Sequence, residues 1–149
     1  PTVTSSKGVN IDWRSPFEEV PVGTGRCLKE GTDVAVITLG PIGNDVAQLL
    51  GEMHPEKHVA HYDLRFVKPL DENLLQEIGS KFNKIIPIED GVRNGGMGSA
   101  VMEWMGDHHF HPQIVRMGLP DAFVEHGSVA ELRQLVGLDT ESIRKEIEA

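Results

Sequence analysis

Cysteine is nearly absent: Cys27 is the only one in 149 residues. An intramolecular disulfide is therefore excluded, and so is a cysteine-rich zinc site. Positive charge is also scarce. Lys and Arg number 14 against 23 Asp and Glu, a formal net charge of −9, and the acidity is spread over both halves rather than gathered in a tail. Such a chain is a poor partner for nucleic-acid phosphates. No apolar run approaches the roughly 20 residues that span a bilayer. No signal peptide is visible, and the first residue is Pro1 rather than methionine. What remains is ordinary globular composition, 39% hydrophobic and 25% charged, enough for one domain with its own core. These features predict a soluble, acidic, cytoplasmic domain.

Residues 1–25 lack a clear period. Gly8, Pro16, Pro21, Gly23 and Gly25 punctuate them, so they read as an extended lead-in, with Ile11, Trp13 and Phe17 as its anchors. Residues 26–149 are regular and read as the domain. A β-branched run at 33–39 (DVAVITL), bounded by glycines, predicts a buried strand. Ile42, Val46, Leu49, Leu50 and Met53 then mark one face of a helix. A second strand is expected at 57–62, continuing into 63–67, followed by a helix capped by Asp71 and bearing Leu74, Leu75, Ile78 and Phe82. Residues 84–88 (KIIPI) form the next strand. A glycine-rich turn leads from it into a helix with Met97, Val101, Trp104 and Met105 on one face. Residues 113–117 give the last strand. Ser128 and Glu131 make a capping box for a helix facing inward through Leu132, Leu135 and Val136, and a final helix from about Thr140 buries Ile143 and Ile147. Strands apolar on both faces, alternating with helices, predict a parallel sheet covered on both sides: a three-layer α/β/α sandwich. Residues 26–30 add a short edge strand.

The chemistry is sparse. His108, His109 and His111 lie close together, and neutral imidazole suits zinc, nickel or copper. Adjacent side chains diverge, however, and no carboxylate or cysteine stands at ligand spacing, so a solvated loop is expected there. His54, His58, His61 and His126 read as surface or hydrogen-bonded residues. Cys27 lies in the edge strand with no base in a known signature and reads as a small packed side chain rather than a nucleophile. The turn 91–99 (GVRNGGMGS) brings Gly95, Gly96, Gly98 and Ser99 before a helix, where backbone N–H groups can approach an anion. It is neither G-x-G-x-x-G nor a P-loop, and it equally suits a tight strand-to-helix turn or packing against another surface. Glu89 and Asp90 stand at the carboxyl end of a strand, where open α/β sheets place ligands, but neighbouring carboxylates in an extended chain point apart. Glu89, Asp90, Gly95, Gly96, Gly98 and Ser99 are therefore candidates for an interface or a structural turn. No catalytic, cofactor-binding or metal-ligating residue is assigned.

Several segments carry a resemblance. Residues 62–71 (YDLRFVKPLD) resemble the D-x-R-F-V-K-P-L-D motif of the 1-deoxy-D-xylulose-5-phosphate synthase family, and residues 118–127 (GLPDAFVEHG) resemble its G-[IL]-P-D-x-F-[IV]-x-x-G segment. Residues 89–101 are similar to its E-[ED]…G-G-x-G-S-x-V stretch, 137–139 to its G-L-D, and 16–26 to its lead into the carboxyl-terminal domain. The resemblance covers nearly the whole chain, in order. It implies the carboxyl-terminal domain of a transketolase-superfamily enzyme: a mixed five-stranded sheet, order 1-3-2-4-5, with strand 1 antiparallel. The parent of such a domain is a homodimeric thiamine-diphosphate enzyme that condenses pyruvate with glyceraldehyde 3-phosphate. It releases carbon dioxide and feeds isoprenoid, thiamine and pyridoxal synthesis. Thiamine diphosphate and Mg²⁺ sit in the two preceding domains, so this chain is expected to be an inactive piece that supports the dimer. Pro1 then matches the proline of an R-Y-P motif. Another transketolase-superfamily parent, or a stand-alone anion- or small-ligand-binding module, are the alternatives. Two departures stand out. The 107–112 loop (DHHFHP) is unusually rich in histidine, and Pro87 falls within an interior strand, where it is expected at a bulge or among the strand's last residues.

Overall fold

The computed structural model describes residues 16, 18–53 and 56–149. Pro1, Ile11, Trp13, Phe17 and His54 lie outside the described residues. In chain order the elements are β1 (Arg26–Lys29), β2 (Val34–Leu39), α1 (Ile42–Glu52), β3 (Val59–Asp63), α2 (Glu72–Lys81), β4 (Lys84–Val92) and α3 (Met97–Asp107), followed by β5 (Gln113–Ile114), β6 (Met117–Leu119), α4 (Val129–Val136) and α5 (Thr140–Glu148). The sheet runs β1-β3-β2-β4-β5, with β6 also paired to β4. β1 is antiparallel to β3 and every other pairing is parallel. This is the expected mixed sheet and strand order.

Alternation along the strands builds two cores, because successive side chains point to opposite faces. Val34, Val36, Val59, Ile86 and Ile88 meet α1 and α5 on one face, where Ile42, Val46, Ile143 and Ile147 are fully buried. Ala35, Ile37, Ala60, Tyr62 and Ile85 meet α2 and α3 on the other, against Leu75, Ile78, Met97, Val101 and Met105.

Three details depart from the pattern read in the sequence. The third strand stops at Asp63, because the chain turns at Arg65, which adopts φ 58°. Leu135 is not inward: it is 71% exposed, and no residue of α4 is buried. Pro87 is neither at a bulge nor at a strand end. It stands mid-strand in β4, paired with Ile37 of β2. Val115 N donates to the Ile85 carbonyl at 3.0 Å, so the odd-numbered residues of β4 present their backbone groups to the last strand. The N–H that Pro87 lacks therefore falls on that side. There the expected last strand is broken, into β5 and β6 between Ile114 and Met117. The ladder to β2, in the middle of the sheet, stays continuous.

Candidate functional site

The chain leaves β2 in one direction through α1 and leaves β4 in the other through α3, so the sheet's switch point lies between the carboxyl ends of β2 and β4. Open α/β sheets place ligands in this crevice. Here the chain's own carboxylates fill it. Glu89, 5% exposed, accepts from Met97 N and Gly98 N, both at 2.9 Å, and so caps α3, whose N-cap Gly96 has no side chain for the purpose. Asp90, the next residue, points to the opposite face and accepts from Ile42 N at 3.2 Å, capping α1. A carboxylate at a helix N-terminus satisfies orphan N–H groups and complements the helix dipole. The two acids thus serve two helices and form no acid–base pair.

The glycine-rich turn closes around Glu89. A Cβ on Gly96 would stand 2.1 Å from the Val92 carbonyl oxygen and 2.4 Å from Glu89 Oε2. Gly95 adopts φ +77°, and its N–H donates to Ser99 Oγ at 3.0 Å. Ser99 Oγ donates in turn to the Arg93 carbonyl at 3.1 Å. Arg116 Nη1 donates to Ser99 Oγ at 2.7 Å and to the Arg93 carbonyl at 3.0 Å. A Cβ on Gly98 would meet Arg116 Cγ at 3.1 Å. Glu89, Gly95, Gly96, Gly98 and Ser99 are thus brought together in one hydrogen-bonded turn, and Asp90 is directed away from it. Arg133 of α4 binds Asp45 of α1 and, at 3.1 Å, Asp90. Neither Arg116 nor Arg133 stands out in the sequence, since their partners lie tens of residues away and no local pattern marks them.

The 62–71 segment shapes the neighbouring rim. Asp63 takes Arg26 at 3.0 Å and Arg65 at 3.8 Å. Asp71 caps α2 through Leu74 N at 2.9 Å, and its other oxygen accepts from Gly25 N at 2.8 Å. The chain therefore enters the fold at the carboxyl edge of the sheet, with Gly23 against Pro69.

Residues 23–143 match the family model described as "Transketolase, C-terminal domain". The chain belongs to that family. Among curated relatives it is 54% identical over 143 residues to the 1-deoxy-D-xylulose-5-phosphate synthase of Bacteroides thetaiotaomicron, covering 95% of this chain and 22% of that protein. It is 37% identical over 142 residues to the protein of the same name from Bacillus licheniformis, covering 94% and 22%. The chain thus spans about a fifth of the length of these relatives. A solved split gene transketolase, captured as an inactive β4 tetramer, superposes with a TM-score of 0.76 at 27% identity, over 87% of this chain and 43% of that one.

The remaining candidates of this transketolase C-terminal domain are dispersed. The His108 ring stacks on Trp104 at 3.9 Å, and its Nδ1 lies 2.8 Å from the Trp104 carbonyl oxygen, while His109 adopts φ 62°. Among the described residues, no three His, Cys, Asp or Glu side chains converge on a site for a metal ion. With carboxylates already at both helix N-termini, the described residues do not fit a Mg²⁺–diphosphate group. Cys27 is exposed rather than packed. Its thiol is pushed up by burial and then by Glu30, which disfavours the thiolate a nucleophile needs. Of the histidines read as surface or hydrogen-bonded residues, His61 is hydrogen-bonded and buried. His61, 1% exposed, has its Nε2 hydrogen-bonded to Thr38 Oγ1 at 2.9 Å, and the same hydroxyl lies 3.2 Å from the Tyr62 carbonyl oxygen. Burial, reinforced by Lys29 and opposed by Asp63, lowers the His61 pKa to about 4.

Proposed function

We propose that this chain is the carboxyl-terminal supporting domain of a thiamine-diphosphate-dependent 1-deoxy-D-xylulose-5-phosphate synthase. The observation that carries the reading is identity of 54% and 53% to proteins of that name over 143 and 141 residues. The longer enzyme condenses pyruvate with glyceraldehyde 3-phosphate, releases carbon dioxide, and so supplies isoprenoid, thiamine and pyridoxal synthesis. It works in the cytoplasm as a homodimer. When bound, thiamine diphosphate supplies the carbanion chemistry of the condensation, and Mg²⁺ holds its diphosphate. Both belong to the preceding domains of the longer protein. Residues 26–149 hold a folded scaffold against those domains and the second subunit, with residues 1–25 as the connection.

Glu89 and Asp90 support a structural rather than a ligand-binding reading of the turn, since they already fill the positions an anion would take. A transketolase parent is less well supported than the synthase, at 27% identity to the solved split gene transketolase. The test is turnover. The longer natural protein should consume pyruvate and glyceraldehyde 3-phosphate when given thiamine diphosphate and Mg²⁺, and the 149-residue chain alone should not. Turnover by the short chain, or none by the long one, overturns the assignment. Calorimetric titration of the chain with phosphate and diphosphate should stay flat.

A further inference from the structure

The glycine-rich turn carries one chemistry that neither the fold nor the proposed function uses. Asn94–Gly95 is the sole Asn–Gly pair in the sequence. Both residues are exposed, and both lie in the gap between the end of β4 at Val92 and the start of α3 at Met97. Among the described residues no side-chain hydrogen bond holds Asn94. In such a pair the Gly95 backbone nitrogen attacks Asn94 Cγ, since glycine presents no side chain to obstruct it. The N–Cγ bond forms, the Cγ–Nδ2 bond breaks, and the amide proton leaves with Nδ2 as ammonia. Water then opens the five-membered succinimide at either of its carbonyls. One product is aspartate. The other is isoaspartate, in which the main chain runs through the former side-chain carbon.

The nucleophile sets the rate here. Gly95 N donates to Ser99 Oγ at 3.0 Å, and Arg116 Nη1, 2.7 Å from the same oxygen, fixes that hydroxyl in place. A nitrogen held in this way gives up its hydrogen bond before it turns on Cγ. Room for the ring is present, because nothing lies within 4 Å of a Cβ placed on Gly95. We infer that Asn94 is a deamidation site of the folded domain and that the Ser99 hydroxyl is its brake. The other described asparagines offer no comparable site. Asn44 and Asn73 lie in α1 and α2, Asn83 precedes Lys84, and each is followed by a residue with a side chain. The related pair Asp90–Gly91 lies within β4, and its carboxylate is already bonded to Ile42 N and Arg133. The isoaspartyl product adds one backbone atom to a turn with no room for a methyl group at Gly96. Modification therefore loosens the start of α3.

Peptide mapping by mass spectrometry tests this, with the 149-residue chain and the free peptide 90–99 (DGVRNGGMGS) incubated side by side near neutral pH. In the folded chain Asn94 should convert faster than Asn44, Asn73 or Asn83. It should convert more slowly than in the peptide, by about tenfold for one hydrogen bond of ordinary net strength. Ser99→Ala should raise the folded rate by about that factor, and Asn94→Gln should stop the conversion. Hydrogen exchange needs no variant: the Gly95 N–H of the natural chain should exchange more slowly than in the peptide. An Asn94 rate at or below that of the other asparagines overturns the inference. So does a Ser99→Ala chain, folded by its urea midpoint, that converts no faster, or a Gly95 amide that exchanges as it does in the peptide. No readout depends on turnover, so failure of the enzymatic assignment is scored separately.

Discussion

Gly96 has no room for a side chain, although its backbone, at φ −84°, is one any residue adopts. The obstacle is contact: a methyl group would overlap the Val92 carbonyl and both oxygens of Glu89. Gly96→Ala is expected to destabilise the domain by about 1–3 kcal/mol through forced movement of a packed turn. Gly137 is the reverse case, with open space around it but φ +72°, so Gly137→Ala should cost about 1 kcal/mol for left-handed backbone alone. Urea midpoints of the two variants separate the effects. His61 makes a pH prediction. The unfolded chain takes up a proton near pH 6.5, while the folded chain refuses it until about pH 4. The unfolded state therefore binds more protons in that window, and stability is lost as pH falls through it. The term is on the order of 2–3 kcal/mol for a group this buried. His61→Gln should flatten the fall in urea midpoint between pH 7 and pH 4.5; an unchanged slope would show that other groups set it.

At the scale of elements, helix termini are satisfied from a distance. The first turn of α3 depends on Glu89, so Glu89→Ala leaves two buried N–H groups without an acceptor and is expected to cost about 2–4 kcal/mol. Glu89→Gln keeps one acceptor oxygen and should lose less. Near-equal thermal shifts for the two variants would argue that the capping bonds contribute little. α4 is the helix least supported by burial. Arg133→Gln should raise amide exchange across Val129–Val136 while leaving α5, with Ile143 and Ile147 fully buried, protected as before. The inward faces of α3 and α5 follow from periodicity, because deep burial and helical period agree there. The exposure of Leu135 does not follow, since periodicity shows that a helix has an apolar side but not that the body covers it. Likewise Pro87 is visible in the sequence, but the side of the sheet that its missing N–H disturbs depends on strand order.

For the molecule as a whole, one sheet with an apolar cluster on each face accounts for the domain's integrity without any ligand. Its switch point is occupied by its own carboxylates, so activity is expected only from the longer protein. Removing residues 26–149 from that protein should abolish turnover and weaken subunit association, measured by light scattering. A truncated enzyme that keeps its turnover and its dimer would deny the domain a supporting role. The exposed side chains of Phe123, Leu135 and Val129 are expected to promote self-association of the isolated domain, measurable by light scattering and lessened when Phe123 is replaced by Asp.

Composition and pattern by themselves determined the layer architecture, the helix faces of α1, α3 and α5 and the Ser128–Glu131 cap. These depend on local periodicity and residue chemistry, which need no knowledge of distant neighbours. Recurring motifs carried the strand order, including the antiparallel β1. Only the tertiary structure decided what the candidate residues do. Glu89 and Asp90 are adjacent in sequence, yet the pleat of β4 sends them to opposite faces, where each meets the N-terminus of a different helix. Arg133 reaches Asp45 and Asp90 across separations of 88 and 43 residues. Contacts of that range are set by how the layers stack, and no spacing along the chain encodes them.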